Sequence, residues 1–214
     1  MKGKIFLLAI AALLVLSFGI AEVTALSSEE TVANDILNKN NTDSKVLVVY
    51  FSRTGENYNV GNVEVGNTAI VASYIKDYLK ADSFEIVPVE KYPDGYDECT
   101  KKASQEQKDN ARPKIQNQIA NFDKYDTIFV GYPIWWGDLP MIMYSFFEGY
   151  NFDGKNVIPF NTHEGSGNAG TYGKIQSKLP SAKVNDKGLA LDGKTARSDE
   201  GKEKTVQWLK GLGY

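Results

Sequence analysis

Short apolar runs rich in β-branched and aromatic residues recur along this chain, separated by longer stretches with helical spacing. That alternation constrains the fold more than any other feature. Val46–Phe51 is a continuous apolar run between polar residues, the pattern of a strand buried on both faces of a parallel sheet. Thr68–Lys80 follows with Ile70, Val71, Tyr74, Ile75, Tyr78 and Leu79 at helical spacing, and Asn67 or Thr68 is the expected N-cap. Phe84–Val89 reads as a weaker strand whose Pro88 suits a sheet edge. A charged helix over Asp97–Ala111 precedes a third strand at Thr127–Tyr132. A helix over Leu139–Tyr150 has Pro140 in its first turn, and Val157–Phe160 reads as a fourth strand. After a helix at Thr171–Leu179, the stretch Val184–Leu191 holds a fifth strand. Ser198-Asp199-Glu200 opens a last helix with Val206, Trp208, Leu209 and Leu212 on its apolar side. Five strands alternating with helices predict a single doubly wound α/β domain around a parallel sheet.

The N-terminus differs in kind. Lys2 and Lys4 precede an apolar run from Ile5 to Ala21, followed by small residues, which is the pattern of a secretory signal. Residues 1–25 are therefore read as a signal peptide, with an uncleaved membrane anchor through residues 5–21 as the competitor. Either way the protein is expected to be exported, with 26–44 as a polar linker and 45–214 as the folded domain. The net charge of −3 with no long basic block argues against a nucleic-acid partner. Cys99 is the only cysteine and His163 the only histidine, so neither an intramolecular disulfide nor a Cys/His metal centre is expected.

In a doubly wound sheet, ligands bind beyond the carboxyl ends of the strands where strand order reverses. The loop after the first strand, Ser52-Arg53-Thr54-Gly55-Glu56-Asn57, combines hydroxyls and free amides ahead of a helix, which suits an anion or phosphate. A P-loop would need Gly-x-x-x-x-Gly-Lys-Ser/Thr, which Gly167–Lys174 resembles only superficially, and no Gly-x-Gly-x-x-Gly follows the first strand. After the third strand comes Gly131-Tyr132-Pro133-Ile134-Trp135-Trp136-Gly137-Asp138-Leu139-Pro140. Its adjacent tryptophans either cover a planar ligand or plug the sheet end. After the fourth comes Thr162-His163-Glu164-Gly165-Ser166-Gly167, whose small residues permit close backbone approach to a ligand. No nucleophile elbow accompanies His163, which leaves it as a loop hydrogen-bonding residue or a general acid.

Taken together and in this order, Tyr50-Phe51-Ser52-Arg53-Thr54-Gly55, Trp-Trp-Gly-Asp-x-Pro and Thr-His-Glu-Gly-Ser-Gly resemble a branch of the flavodoxin-like FMN-binding proteins, over Lys45 to about Leu212. The resemblance implies a five-stranded sheet of order 2-1-3-4-5 with FMN at its carboxyl edge. It implies that Ser52, Arg53 and Thr54 meet the phosphate and that Asn67 and Thr68 complete that site. Pro133, Ile134, Trp135, Trp136 and Gly137 would line the isoalloxazine, one tryptophan stacking on it. Thr162, His163, Glu164, Gly165, Ser166 and Gly167 would flank its other side. One departure stands out: Glu56–Gly66 intervenes between the phosphate loop and its helix, as a small hairpin that forms a lid or a partner surface.

The function so implied is an FMN-dependent redox protein. It would carry electrons to a partner protein or reduce a small quinone-like acceptor with a reduced nicotinamide. The alternative is an exported binding module that keeps the fold without redox turnover. A phosphorylation-controlled receiver of the same topology would need an acidic pair after the first strand, which is absent.

Overall fold

The computed structural model describes residues 45–214; the expected signal or anchor and the linker lie outside the described residues. Five positions across one sheet build the domain. Strands β1 (Val46–Tyr50), β4 (Asp82–Glu85), β5 (Thr127–Pro133), β6 (Asn156–His163), β7 (Lys183–Val184) and β8 (Leu189–Asp192) form it, and every pairing in it is parallel. The order is β4-β1-β5-β6-β7, with β8 also on β6. This is the expected 2-1-3-4-5 arrangement, its fifth position filled by two short pieces. β7 pairs with the start of β6 (Asn156↔Lys183) and β8 with its end (Phe160↔Leu189 to His163↔Asp192). Pro159, which has no N–H to donate, lies beside the break. Gly188 passes so close there that a Cβ would stand 2.6 Å from the Pro159 carbonyl oxygen.

Period-two alternation sends side chains of one strand into two cores. Leu47, Val49 and Phe51 face one side with Ile128, Val130 and Tyr132, under α2 (Tyr96–Lys108), α3 (Met141–Gly149) and α4 (Thr171–Lys178). Val48 and Phe129 face the other, beneath α1 (Asn67–Leu79) and α6 (Asp199–Gly211); the single turn α5 (Gly193–Ala196) links β8 to α6. Such two-sided burial is why the strands read as unbroken apolar runs.

Three expectations shift. The second strand begins earlier than Phe84–Val89, because its register with β1 opens at Leu47↔Asp82. Val87–Val89 instead pairs antiparallel with Lys114–Gln116 through the backbone of Val87 and Val89, a pairing that asks no N–H of Pro88. Pro140 is the N-cap of α3 rather than a first-turn residue. The N-cap of α1 is Gly66, not Asn67 or Thr68: its backbone is extended (φ −69°, ψ 155°) and the helix runs from Asn67, while a Cβ at position 66 would fall 2.4 Å from the Arg53 carbonyl oxygen and 2.3 Å from Ser52 Oγ. The missing cap comes from another element: the Ala69 amide donates to Ser52 Oγ at 3.0 Å.

Candidate functional site

The carboxyl ends of β1, β5 and β6 converge on a cleft of about 330 Å³. Its lining includes Ser52, Arg53, Asn67, Thr68, Pro133, Ile134, Trp135, Trp136, Gly137, Thr162, His163, Glu164 and Ser166, all expected from the sequence. Thr54, Gly165 and Gly167 do not line it. Thr54 points to solvent, the Gly165 amide donates to His163 Nδ1, and the Gly167 carbonyl accepts from Asn161 Nδ2. The bond from Gly165 makes Nδ1 an acceptor and so assigns the proton of a neutral His163 ring to Nε2.

The phosphate-loop residues are more committed to the protein than their sequence suggests. Arg53 turns its guanidinium onto backbone, donating to the carbonyls of Pro93, Asp94, Gly95 and Glu56. Ser52 Oγ caps α1, Thr68 Oγ1 and Thr162 Oγ1 share a buried hydrogen bond of 2.8 Å, and Asn67 Oδ1 accepts from Arg197. What remains open to an anion is the start of α1. Its first turn holds no acid, its leading amides have no partners within the helix, and its dipole favours negative charge. The Gly66 position, where a Cβ has no room, lets that turn close against the β1 loop. These groups fit a phosphate without an arginine contact.

Sequence places the two tryptophans side by side; geometry separates them. Trp135 is half-buried and packs edge-on against Phe51 (5.4 Å between ring centroids) and Tyr92 (5.0 Å). Trp136 is 60% exposed at the tip of a two-residue turn closed by Trp135 N–H to Asp138 O (2.9 Å) and Asp138 N–H to Trp135 O (3.0 Å). Both central residues have positive φ, 51° at Trp136 and 71° at Gly137, as a type I′ turn requires. A bulky residue in the left-handed region is a local strain, and such strain tends to mark functional positions. Asp138 braces the turn, accepting from the Leu139 amide and the Tyr144 hydroxyl and pairing with Lys174 at 2.8 Å.

The opposite wall joins the hairpin, which the sequence pointed to as a lid or partner surface, to an α2 face that sequence reasoning missed. Asn57 and Tyr58 of the hairpin, and Tyr96, Cys99, Thr100 and Ala103 of α2, also line the cleft. The α2 residues fall at i, i+3, i+4 and i+7, a single face of a helix that reads as a charged surface helix in sequence. Burial pushes the Cys99 thiol and the Tyr96 hydroxyl above their ordinary pKa values, so both are neutral wall groups at physiological pH. Glu56–Gly66 does form a hairpin, β2 (Gly55–Asn57) against β3 (Gly61–Val63). Its Glu56 carboxylate accepts from the Tyr96 amide, and Asn59 reaches Glu164 across the cleft at 3.0 Å. Among the described residues no group of three or more His, Cys, Asp or Glu side chains could hold a metal ion.

A doubly wound parallel sheet with a polar and aromatic cleft at the ends of its central strands defines a flavodoxin-like protein. The chain belongs to the flavodoxin family, whose sequence model matches residues 45–211. Among solved structures, it is similar to a protein from Bacteroides eggerthii provisionally called a flavoprotein: 28% identity over 80% of this chain and 99% of that one, TM-score 0.64. A similarly described Bacteroides uniformis protein is 29% identical over 78% of this chain and 98% of that one, TM-score 0.63. A flavoprotein from Lactobacillus acidophilus, solved in complex with FMN, shares the fold at 21% identity over 72% of this chain and 97% of that one, TM-score 0.56. No curated protein sequence matches the chain.

Proposed function

We propose that this protein binds FMN in the cleft and serves as a redox protein, either carrying electrons or reducing quinone-like acceptors with a reduced nicotinamide. The observation that carries this reading is the convergence of the three strand-end loops on the acid-free N-terminus of α1, beside an exposed indole. When bound, FMN supplies one- and two-electron chemistry, and little acid–base work is asked of the protein.

The residues divide the task. The Asn67 and Thr68 amides that open α1, beside Ser52, hold the phosphate. Trp136 covers one face of the flat ring, while Trp135 keeps the loop in place from beneath. The loop Thr162–Ser166, drawn in by the Ile134 amide donating to the Thr162 carbonyl at 2.8 Å, borders the ring's polar edge. Residues 1–25 would direct the domain out of the cytoplasm, as a cleaved signal or as an anchor.

Titration of FMN into the purified protein, followed by loss of flavin fluorescence and a perturbed visible spectrum, tests the reading. Saturable quenching is expected; flavin that keeps its free fluorescence at every protein concentration overturns it. Multiple turnovers of a quinone by reduced nicotinamide would then separate a reductase from a carrier.

A further inference from the structure

Between the loop after β1 and the start of α1 the chain detours through the β2–β3 hairpin, so the loop does not run directly into its helix. Two contacts from elsewhere in the chain hold the two together. Ser52 Oγ caps α1, as described above, and Arg197 ties down the return from the hairpin. Its Nη1 donates to the Val65 carbonyl at 2.8 Å and to Asn67 Oδ1 at 3.1 Å, partners 132 and 130 residues away. Arg197 stands on a fixed corner of the backbone. It follows the single turn α5, capped by Asp192 accepting from the Thr195 amide at 3.0 Å, and precedes Ser198, whose hydroxyl oxygen caps α6.

The bond to Asn67 fixes which way its side chain faces. A guanidinium can only donate, so the atom it meets is the carbonyl oxygen, and the NH2 group is turned to the far side. There a Cβ at Gly193 would stand 2.5 Å from Asn67 Nδ2 and 2.2 Å from Glu164 Oε1, so the glycine keeps this corner open. Asn67 is only 8% exposed and lines the cleft, yet among the described residues its Nδ2 donates to no group. Glu164, which borders the same corner, accepts instead from Asn59 through Oε2. A buried side-chain amide with its oxygen satisfied and its donors open suits an incoming acceptor.

We propose that Arg197 is a positioning residue of the phosphate site: it holds the Asn67 side chain with its NH2 group toward a bound phosphate and anchors the Val65–Asn67 segment at the start of α1. This rests on the FMN reading above. The role falls to Arg197 because the Arg53 guanidinium is occupied by the carbonyls ahead of α2. Arg197 is exposed and acts through Asn67, so its contribution is to the order of the site rather than to the stability of the domain.

Paired titrations of the full chain with FMN and with riboflavin, which has the same ring and no phosphate, test this. Arg197→Met is expected to weaken FMN binding about tenfold and riboflavin binding less than about twofold, at an unchanged urea midpoint. Arg197→Lys should stay within about threefold of wild type for FMN, because one nitrogen makes both bonds. Asn67→Ala should weaken FMN to a similar degree as Arg197→Met. Adding Arg197→Met to Asn67→Ala should then weaken FMN by less than about a further threefold, since the group through which the arginine acts is already gone. Unchanged FMN affinity in Arg197→Met overturns the role. An equal loss of FMN and riboflavin overturns it too, by making Arg197 a general support of the fold. Full additivity of the two substitutions overturns positioning in favour of direct contact between guanidinium and phosphate. An Arg197→Lys variant as weak as Arg197→Met overturns the two-acceptor clamp. A wild-type protein that binds neither flavin fails before any variant is compared, and overturns the reading beneath.

Discussion

The loops after β1 and β5 both leave a central strand, the first reaching α1 by way of the β2–β3 hairpin and the second running straight to α3, yet they use their side chains in opposite ways. In the first, the groups that look ready for a ligand are turned inward: Ser52 caps α1, and Arg53 binds the carbonyls of the loop ahead of α2. In the second, one large side chain is packed beneath the turn while its neighbour is held out at the rim. The first loop thus offers backbone and dipole, the second an aromatic face. A polar side chain near a cleft is therefore weak evidence of ligand contact until its existing partners are known, and an exposed tryptophan in a strained turn is stronger evidence.

Three substitutions would break or sharpen this contrast. The largest effect is expected at Trp135. Its replacement by Ala removes a ring wedged against Phe51 and Tyr92 and should lower stability by about 3 kcal/mol, read as a drop in the urea midpoint at unchanged slope. A midpoint within error of wild type would mean that the second loop has no packed half. Arg53→Met comes next. Loss of the donors to four carbonyls should cost about 1–2 kcal/mol of stability, while FMN affinity falls less than about threefold and keeps its salt dependence. A large affinity loss with a flattened salt response would instead make Arg53 a phosphate ligand and erase the contrast. Smallest in stability is Trp136→Ala, expected within about 0.5 kcal/mol of wild type because the ring is exposed and its backbone strained, yet binding FMN about tenfold more weakly. Equal FMN affinity would leave the exposed indole without a role in the cofactor site.

Much of the fold was legible in the chain. Val46–Phe51 and Thr127–Tyr132 are apolar without interruption because each strand feeds two cores, and that signature survives in any sequence of this architecture. The split fifth position was less legible, since Lys183–Val184 is too short to carry a pattern, and the segment after it turns on itself, the Lys187 amide donating to Asn185 Oδ1. At the site, the three loops could be read because each combines turn residues with side chains that are costly to leave unused. The α2 wall could not be. Tyr96, Cys99, Thr100 and Ala103 share a helix otherwise dominated by Lys, Glu, Gln and Asp, and the cleft-lining stripe is indistinguishable in sequence from an ordinary buried one.

Local chemistry, then, was written in the sequence: where strands and helices run, which loops end the central strands, and that one of them carries paired tryptophans. Tertiary structure alone decided which tryptophan is core and which is rim, which hydroxyl caps α1, and that Arg53 serves the protein's own carbonyls. Those outcomes depend on partners 17 to 84 residues away, such as Ala69 for Ser52, Gly95 for Arg53 and Phe51 for Trp135. Periodicity and propensity describe a residue's neighbours along the chain, whereas a hydrogen bond is made with whatever group folding brings within about 3 Å.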